Sequence, residues 1–163
     1  MIRALAATAL FLSFAAHANA QADAISDMFS KHCMVPLANE TAPVTDGLTL
    51  IEGVDGEPGA VYEVFDDVAL ILPDIPNTEG RFKRCTLAVN QIPLPVVFQV
   101  IGAWQAGEGS DYRPIQNQHS GVDEEGFRHL TFGRKLSEDS GMLAIFSINA
   151  ERQVVTIMAS RLN

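Results

Sequence analysis

The chain has 163 residues, 47% of them hydrophobic, and carries 11 Lys and Arg against 20 Asp and Glu, a formal charge of −9. That balance argues against duplex nucleic acid and anionic membrane as partners, because both reward clustered Lys and Arg. It leaves an acidic, solvated surface as the plain reading of the charge.

Met1, Ile2 and Arg3 precede an apolar run from Ala4 to Ala16, and Ala18, Asn19 and Ala20 follow it. One cation, a short hydrophobic stretch and an A-x-A end read as a secretory signal peptide over residues 1–20, cleaved before Gln21. The run is too short for a spanning helix, which needs about 20 apolar residues. Removing 20 residues from 163 leaves 143, enough for a single domain (21–163) with one core. Losing Arg3 makes the balance 10 basic to 20 acidic, or −10. The expected location is periplasmic or secreted, with no membrane span after cleavage.

Ile25, Met28, Phe29, His32 and Cys33 recur at helical spacing, opposite Asp23, Ser26, Asp27 and Lys31. The spacing predicts a short amphipathic helix that Pro36 ends, with His32 half-buried on its inner side. Asp23 and Asp27 suit the positive end of the helix dipole, and Lys31 and His32 the negative end.

From Asn39 to Gly80 the chain holds ten acids and no Lys or Arg, among many turn formers. Leu48–Ile51, Ala60–Phe65 and Val68–Leu72 are the candidate strands, with a bend at Asp66-Asp67. Calcium needs six to eight converging oxygens, so acids spaced this loosely over 40–79 make cation binding the least supported function. Arg81–Val89 reads as a strand whose Arg81, Lys83, Cys85, Leu87 and Val89 share one face, solvated at one end and buried at the other.

Leu94–Ala106 fits strand by its β-branched residues and helix by the spacing of Leu94, Val97, Phe98, Ile101 and Trp104. Its length favours helix, with Pro95 in the first turn and Gly107 at the end. Phe98, Trp104 and Phe146 are expected in the core. Phe127–Leu136, Gly141–Asn149 and Val154–Arg161 then form an antiparallel meander. The expected fold is α+β: an antiparallel sheet ending in a C-terminal meander and covered by an N-terminal and a middle helix.

Cys33 and Cys85 are the only cysteines, and export places them where oxidation persists. A disulfide between them would fasten the first helix to the sheet. A catalytic thiol beside His32 is the weaker reading, because no C-x-x-C spacing is present to activate it.

The signal peptide, the F-x-x-x-C of Phe29 to Cys33, the strand-borne Cys85 followed by an apolar helix, and the closing hairpin together resemble small uncharacterised exported proteins of alphaproteobacteria. The resemblance covers most of the mature chain and implies no activity, ligand or catalytic residue.

Chemistry has few candidates. No histidine stands at a metal-site spacing, and nucleophile elbow, P-loop and complete EF-hand motifs are absent from the sequence. His129 reads as a cross-strand surface partner. The 20-residue connection from Gly107 to Gly126 exceeds the usual loop length, and either hides a strand near Tyr112–Gln118 or carries function. If it is catalytic, His119 is the base, Asp123 or Glu124 orients it, and Arg113 holds an anion. No cofactor or metal is indicated. The leading expectation is a non-enzymatic exported domain that binds a partner protein or small ligand, and the alternative is a hydrolase-like enzyme built around His119.

Overall fold

Pro36 does not end the first helix. In the computed structural model, which describes residues 18–72, 83–115 and 122–162, helical backbone runs unbroken over 18–38 (α1). The proline is accommodated by a π-helical turn over Ser30–Met34, where the Val35 N–H donates to Ser30 O, one residue further back than in an α-helix. Lacking an N–H, Pro36 cannot donate to His32 O, its partner in an unbroken α-helix. That carbonyl instead accepts the Val44 N–H at 3.2 Å, while the His32 Nδ1–H donates to Val44 O. His32 is therefore fully rather than half buried. α1 closes at Ala38, where Arg161 donates to the carbonyls of Leu37 and Ala38 and pairs with Glu40 at 2.6 Å.

Eight antiparallel strands follow: β1 (Thr49–Glu52), β2 (Val61–Phe65), β3 (Val68–Ile71), β4 (Arg84–Val89), β5 (Arg113–Ile115), β6 (Arg128–Lys135), β7 (Gly141–Asn149) and β8 (Val154–Leu162). Helix α2 (Leu94–Ala106) separates the two sets of four. The sheet order β1-β2-β3-β4-β8-β7-β6-β5 joins two meanders through their last strands, with Leu87 opposite Ile157. Each half is thus a helix followed by a four-stranded meander. The expected α+β class, the C-terminal meander and the two covering helices are all present.

Both helices lie on the same face. On that face Cys85, Leu87, Val89, Met142, Ala144, Phe146, Val155, Ile157 and Ala159 are almost wholly buried. α1 contributes Ile25, Phe29, Cys33 and Leu37, and α2 contributes Val97, Val100, Ile101 and Trp104. Trp104 is the centre of an aromatic group, with Phe29, Tyr112, Phe132 and Phe146 at ring separations of 5.1 to 6.3 Å. Gly109 follows α2 because a Cβ there would come within 2.6 Å of the Trp104 ring. The Tyr112 hydroxyl is pushed up to about 12, first by burial, although the Arg134 guanidinium over its ring opposes the shift.

One core assignment is corrected: Phe98 is 54% exposed. α2 is apolar on almost every side, so periodicity alone does not choose its inner stripe. Packing turns Val96 and Val100 inward and leaves Leu94 and Phe98 facing out.

Cys33 and Cys85 are joined, with Cα atoms 5.4 Å apart, so α1 is bonded to β4 at the middle of the sheet. A loop of this length corresponds to about 4 kcal/mol in the chain-entropy account. The C33S/C85S double variant should therefore melt roughly 10 °C below the oxidised protein. A loss within about 2 °C would show that the bond adds little to the noncovalent docking of α1.

Candidate functional site

With both helices on one face, the opposite face of the sheet is left without a described helix over it. Its side chains follow from the register. One row runs straight across seven strands: Val61, Ile71, Thr86, Met158, Ile145, Thr131 and Ile115. Beside it run Glu63, Ala69, Ala88, Thr156, Ser147 and His129, and on the other side Arg84, Ser160, Leu143, Gly133 and Arg113. Most of these side chains are half-buried, Thr131 and Ser160 are buried, and no described helix lies above them. Gly133 leaves room here for the Ile115 side chain, whose Cδ1 would lie 2.6 Å from a Cβ at this position and would have to turn aside. A shallow hollow of about 470 Å³ lies over Gly133 and Gly141, bounded by Arg113, Ile115, Lys135, Leu143 and Leu162.

The second row ends in the one histidine of this face that the structure gives a carboxylate partner. His129 and Ser147 face each other across β6 and β7, with Nδ1 and Oγ 2.8 Å apart. His129 Nε2 lies 2.9 Å from Asp123 Oδ2. Asp123 owes its position to a tight turn: its other oxygen accepts the N–H groups of Glu125 and Phe127, at 3.0 and 2.8 Å. The Phe127 N–H first, and His129 second, hold the Asp123 carboxyl below its ordinary range. Asp123, His129 and Ser147 thus form a hydrogen-bonded chain of acid, imidazole and hydroxyl.

Of the expected site residues, Arg113, Asp123 and Glu124 fall within the described structure. Asp123 serves His129, and His119 lies outside the described residues. Glu124 is exposed in the turn. Arg113 stands on β5 opposite Gly133, four residues along β6 from His129 or about 13 Å, and its guanidinium donates to the carbonyls of Ser110 and Tyr112. Neither the place of His129 beside Asp123 nor that of Ser147 was read from the sequence. The signal was available: the hairpin pairs Lys135 with Gly141, and counting six residues out along each strand reaches His129 and Ser147.

The chain of three resembles a nucleophilic triad in composition but not in placement. Ser147 sits in the middle of β7, which is paired on both sides, so the backbone N–H groups around it are taken up by the ladders. An oxyanion requires free donors aimed at it. His129 and Asp123 are 32% and 39% exposed in their side chains, so the group lies at the surface, not in a cleft. Among the described residues no three His, Cys, Asp or Glu side chains converge as a metal set. In the acidic stretch, Asp55 accepts the Tyr62 hydroxyl at 2.8 Å, and residues 73–79 lie outside the described residues. Among the described residues no helix is long and apolar enough to cross a membrane.

Comparison with protein-family models, with curated proteins and with solved structures finds no match.

A carboxyl held low in the folded state contributes stability above its unfolded value of about 3.9, and that contribution disappears as pH falls through the folded value. Asp123→Asn should accordingly lower the melting temperature at pH 7. The gap from the parent should narrow as pH falls below the unfolded value and through the lower folded one. A gap that stays constant down to pH 2 would show that the carboxyl charge is not what orders this turn.

Proposed function

We propose that this protein is an exported, non-enzymatic binding domain, and that the uncovered face of its sheet is the surface that meets the partner. The observation that carries this is the seven-strand row from Val61 to Ile115. Antiparallel sheets with one face in water ordinarily alternate apolar and polar residues, whereas here the outward positions are mainly Val, Ile, Ala, Thr, Met and Leu. The central row carries no charged side chain, with Thr86 and Thr131 among its apolar residues, and a patch depleted of charge at its centre and polar at its rim is the usual make-up of an interaction site. The domain is held rigid behind it by the buried aromatic group and the disulfide, which keeps the cost of ordering on binding low.

The reading of residues 1–20 as a signal peptide supports export. Among the described residues Ala22 is the first fully buried side chain, so cleavage before Gln21 leaves the described, fully buried anchors of α1 in place. Ala18 packs against the core from the removed side, while Asn19 and Ala20 are exposed.

The hydrolase-like alternative has one observation in its favour, the chain from Asp123 to Ser147. The mid-strand position of Ser147 weighs against it, and the same three residues suit a hydrogen-bonding patch at the rim of the binding face. His119 as the base of such an enzyme has no described geometry behind it.

Photocrosslinking in the exporting cell tests the reading. A benzophenone side chain at Ile145, on the open face, should give a discrete high-mass adduct, and one at Phe98, on the outer side of α2, should give none. Equal yields from the two positions, or none from Ile145, would remove the open face as the binding surface.

A further inference from the structure

We infer that the partner seated on the open face is a second copy of this chain, the two sheets packing face to face about a twofold axis parallel to the strands. The inference rests on the reading of that face as a binding surface and names its occupant. Its first support is the distribution of charge among the strand residues that point outward. Both acids, Glu52 and Glu63, lie on β1 and β2, while the cations Arg84, Arg113 and Lys135 lie on β4, β5 and β6, with the His129 imidazole also on β6. The loops add acids at the rim, Asp123 at His129 and Glu138 with Asp139 in the β6–β7 hairpin.

A twofold axis along the strands, set between β4 and β8, carries β1 of one copy over β5 of the other and β2 over β6. It leaves each cross-strand row facing itself in reverse. Ile71 then meets Ile145, Val61 meets Thr131, and Thr86 meets Met158, each contact occurring twice. In the next row Glu63 falls over His129, and Glu52 falls one row from Arg113. A twofold axis across the strands would instead set β1 over β1 and acid over acid. The charges therefore select one of the two isologous arrangements, and an isologous contact closes on itself as a dimer. Face-to-face sheets pack about 10 Å apart with strands nearly aligned, which this axis allows.

Area is consistent with a reversible pair. Seven residues at about 4.8 Å spacing and three rows along the strands give a footprint of roughly 500 Å² per copy. The total of about 1,000 Å² is near the lower bound for a specific interface, in the size class of weak, transient pairs.

The processed protein, isolated from the exporting cell with its disulfide intact, is examined by sedimentation velocity from about 1 to about 300 μM, a span suited to a weak pair. The sedimentation coefficient should move from monomer to dimer across that range. Met158→Glu should abolish the shift and Phe98→Glu should leave it unchanged. Glu52→Arg should weaken association about tenfold, and adding Arg113→Glu should restore it. Because Met158→Glu could disturb folding, a benzophenone at Met158 gives a second reading: its adduct should be a dimer of this chain cross-linked to the Arg84–Val89 peptide. A monomer at every concentration, or a dimer indifferent to Met158→Glu in a variant that keeps its melting temperature, overturns the inference. An adduct between Met158 and a different protein also overturns it while leaving the open face as the binding surface. Absence of any adduct from Ile145 removes both.

Discussion

The pairing of β4 with β8 is the contact on which the rest of the molecule depends. Six residue pairs, from Arg84–Ser160 to Val89–Val155, join two meanders that are otherwise separate. Each meander has four strands and one helix, and each buries one face. Joined through their last strands, they become a single eight-stranded sheet whose two helices fall on the same side. The disulfide reinforces the join, because Cys85 stands on β4 and Cys33 on α1. Arg161 does the same from the end of β8 by holding the last carbonyls of α1. One physical consequence follows: a sheet wide enough for two helices has both of its described helices on one face, and no described helix lies over the other.

Much of this is legible in the sequence where a residue acts locally. Pro95 and Gly107 mark the ends of α2, and β7 begins at Gly141 after the polar turn 136–140. Cys33 and Cys85 pair because the chain has no other thiols and the two lie within reach in the fold. The class of fold follows from the order of helical and strand patterns. Pro36 misleads because its effect depends on whether the helix can absorb an extra residue. The π turn at Ser30–Met34, together with the Val44 N–H that takes up the His32 carbonyl, is a tertiary solution that no local pattern announces.

The candidate site was less legible, for two physical reasons. Strand order cannot be read from alternation, so nothing in Ile71, Thr86, Met158 and Ile145 taken separately says that they form one row. Strands such as Val154–Leu162, with Thr156 and Met158 between buried neighbours, look like ordinary amphipathic strands until the register is known. The polar group was hidden differently. Proximity in sequence groups Asp123 with His119, while the turn closed by Phe127 and Glu125 aims it at His129, six residues on. Phe98 shows the same limit in a helix, since a segment apolar all round offers the core more than one stripe.

The sheet is buried on one side and open on the other, and two methionines on adjacent strands report on it directly. Met142 on β7 points into the core and is fully buried, while Met158 on β8 points out and is partly exposed. Oxidation to the sulfoxide follows accessibility, so peroxide footprinting by mass spectrometry reads both faces in one sample. The account predicts that in dilute protein Met158 oxidises readily while Met142 stays protected, and that Met158 becomes protected as protein concentration rises. Equal reactivity of the two methionines at low concentration, or a Met158 protected at every concentration, would contradict it.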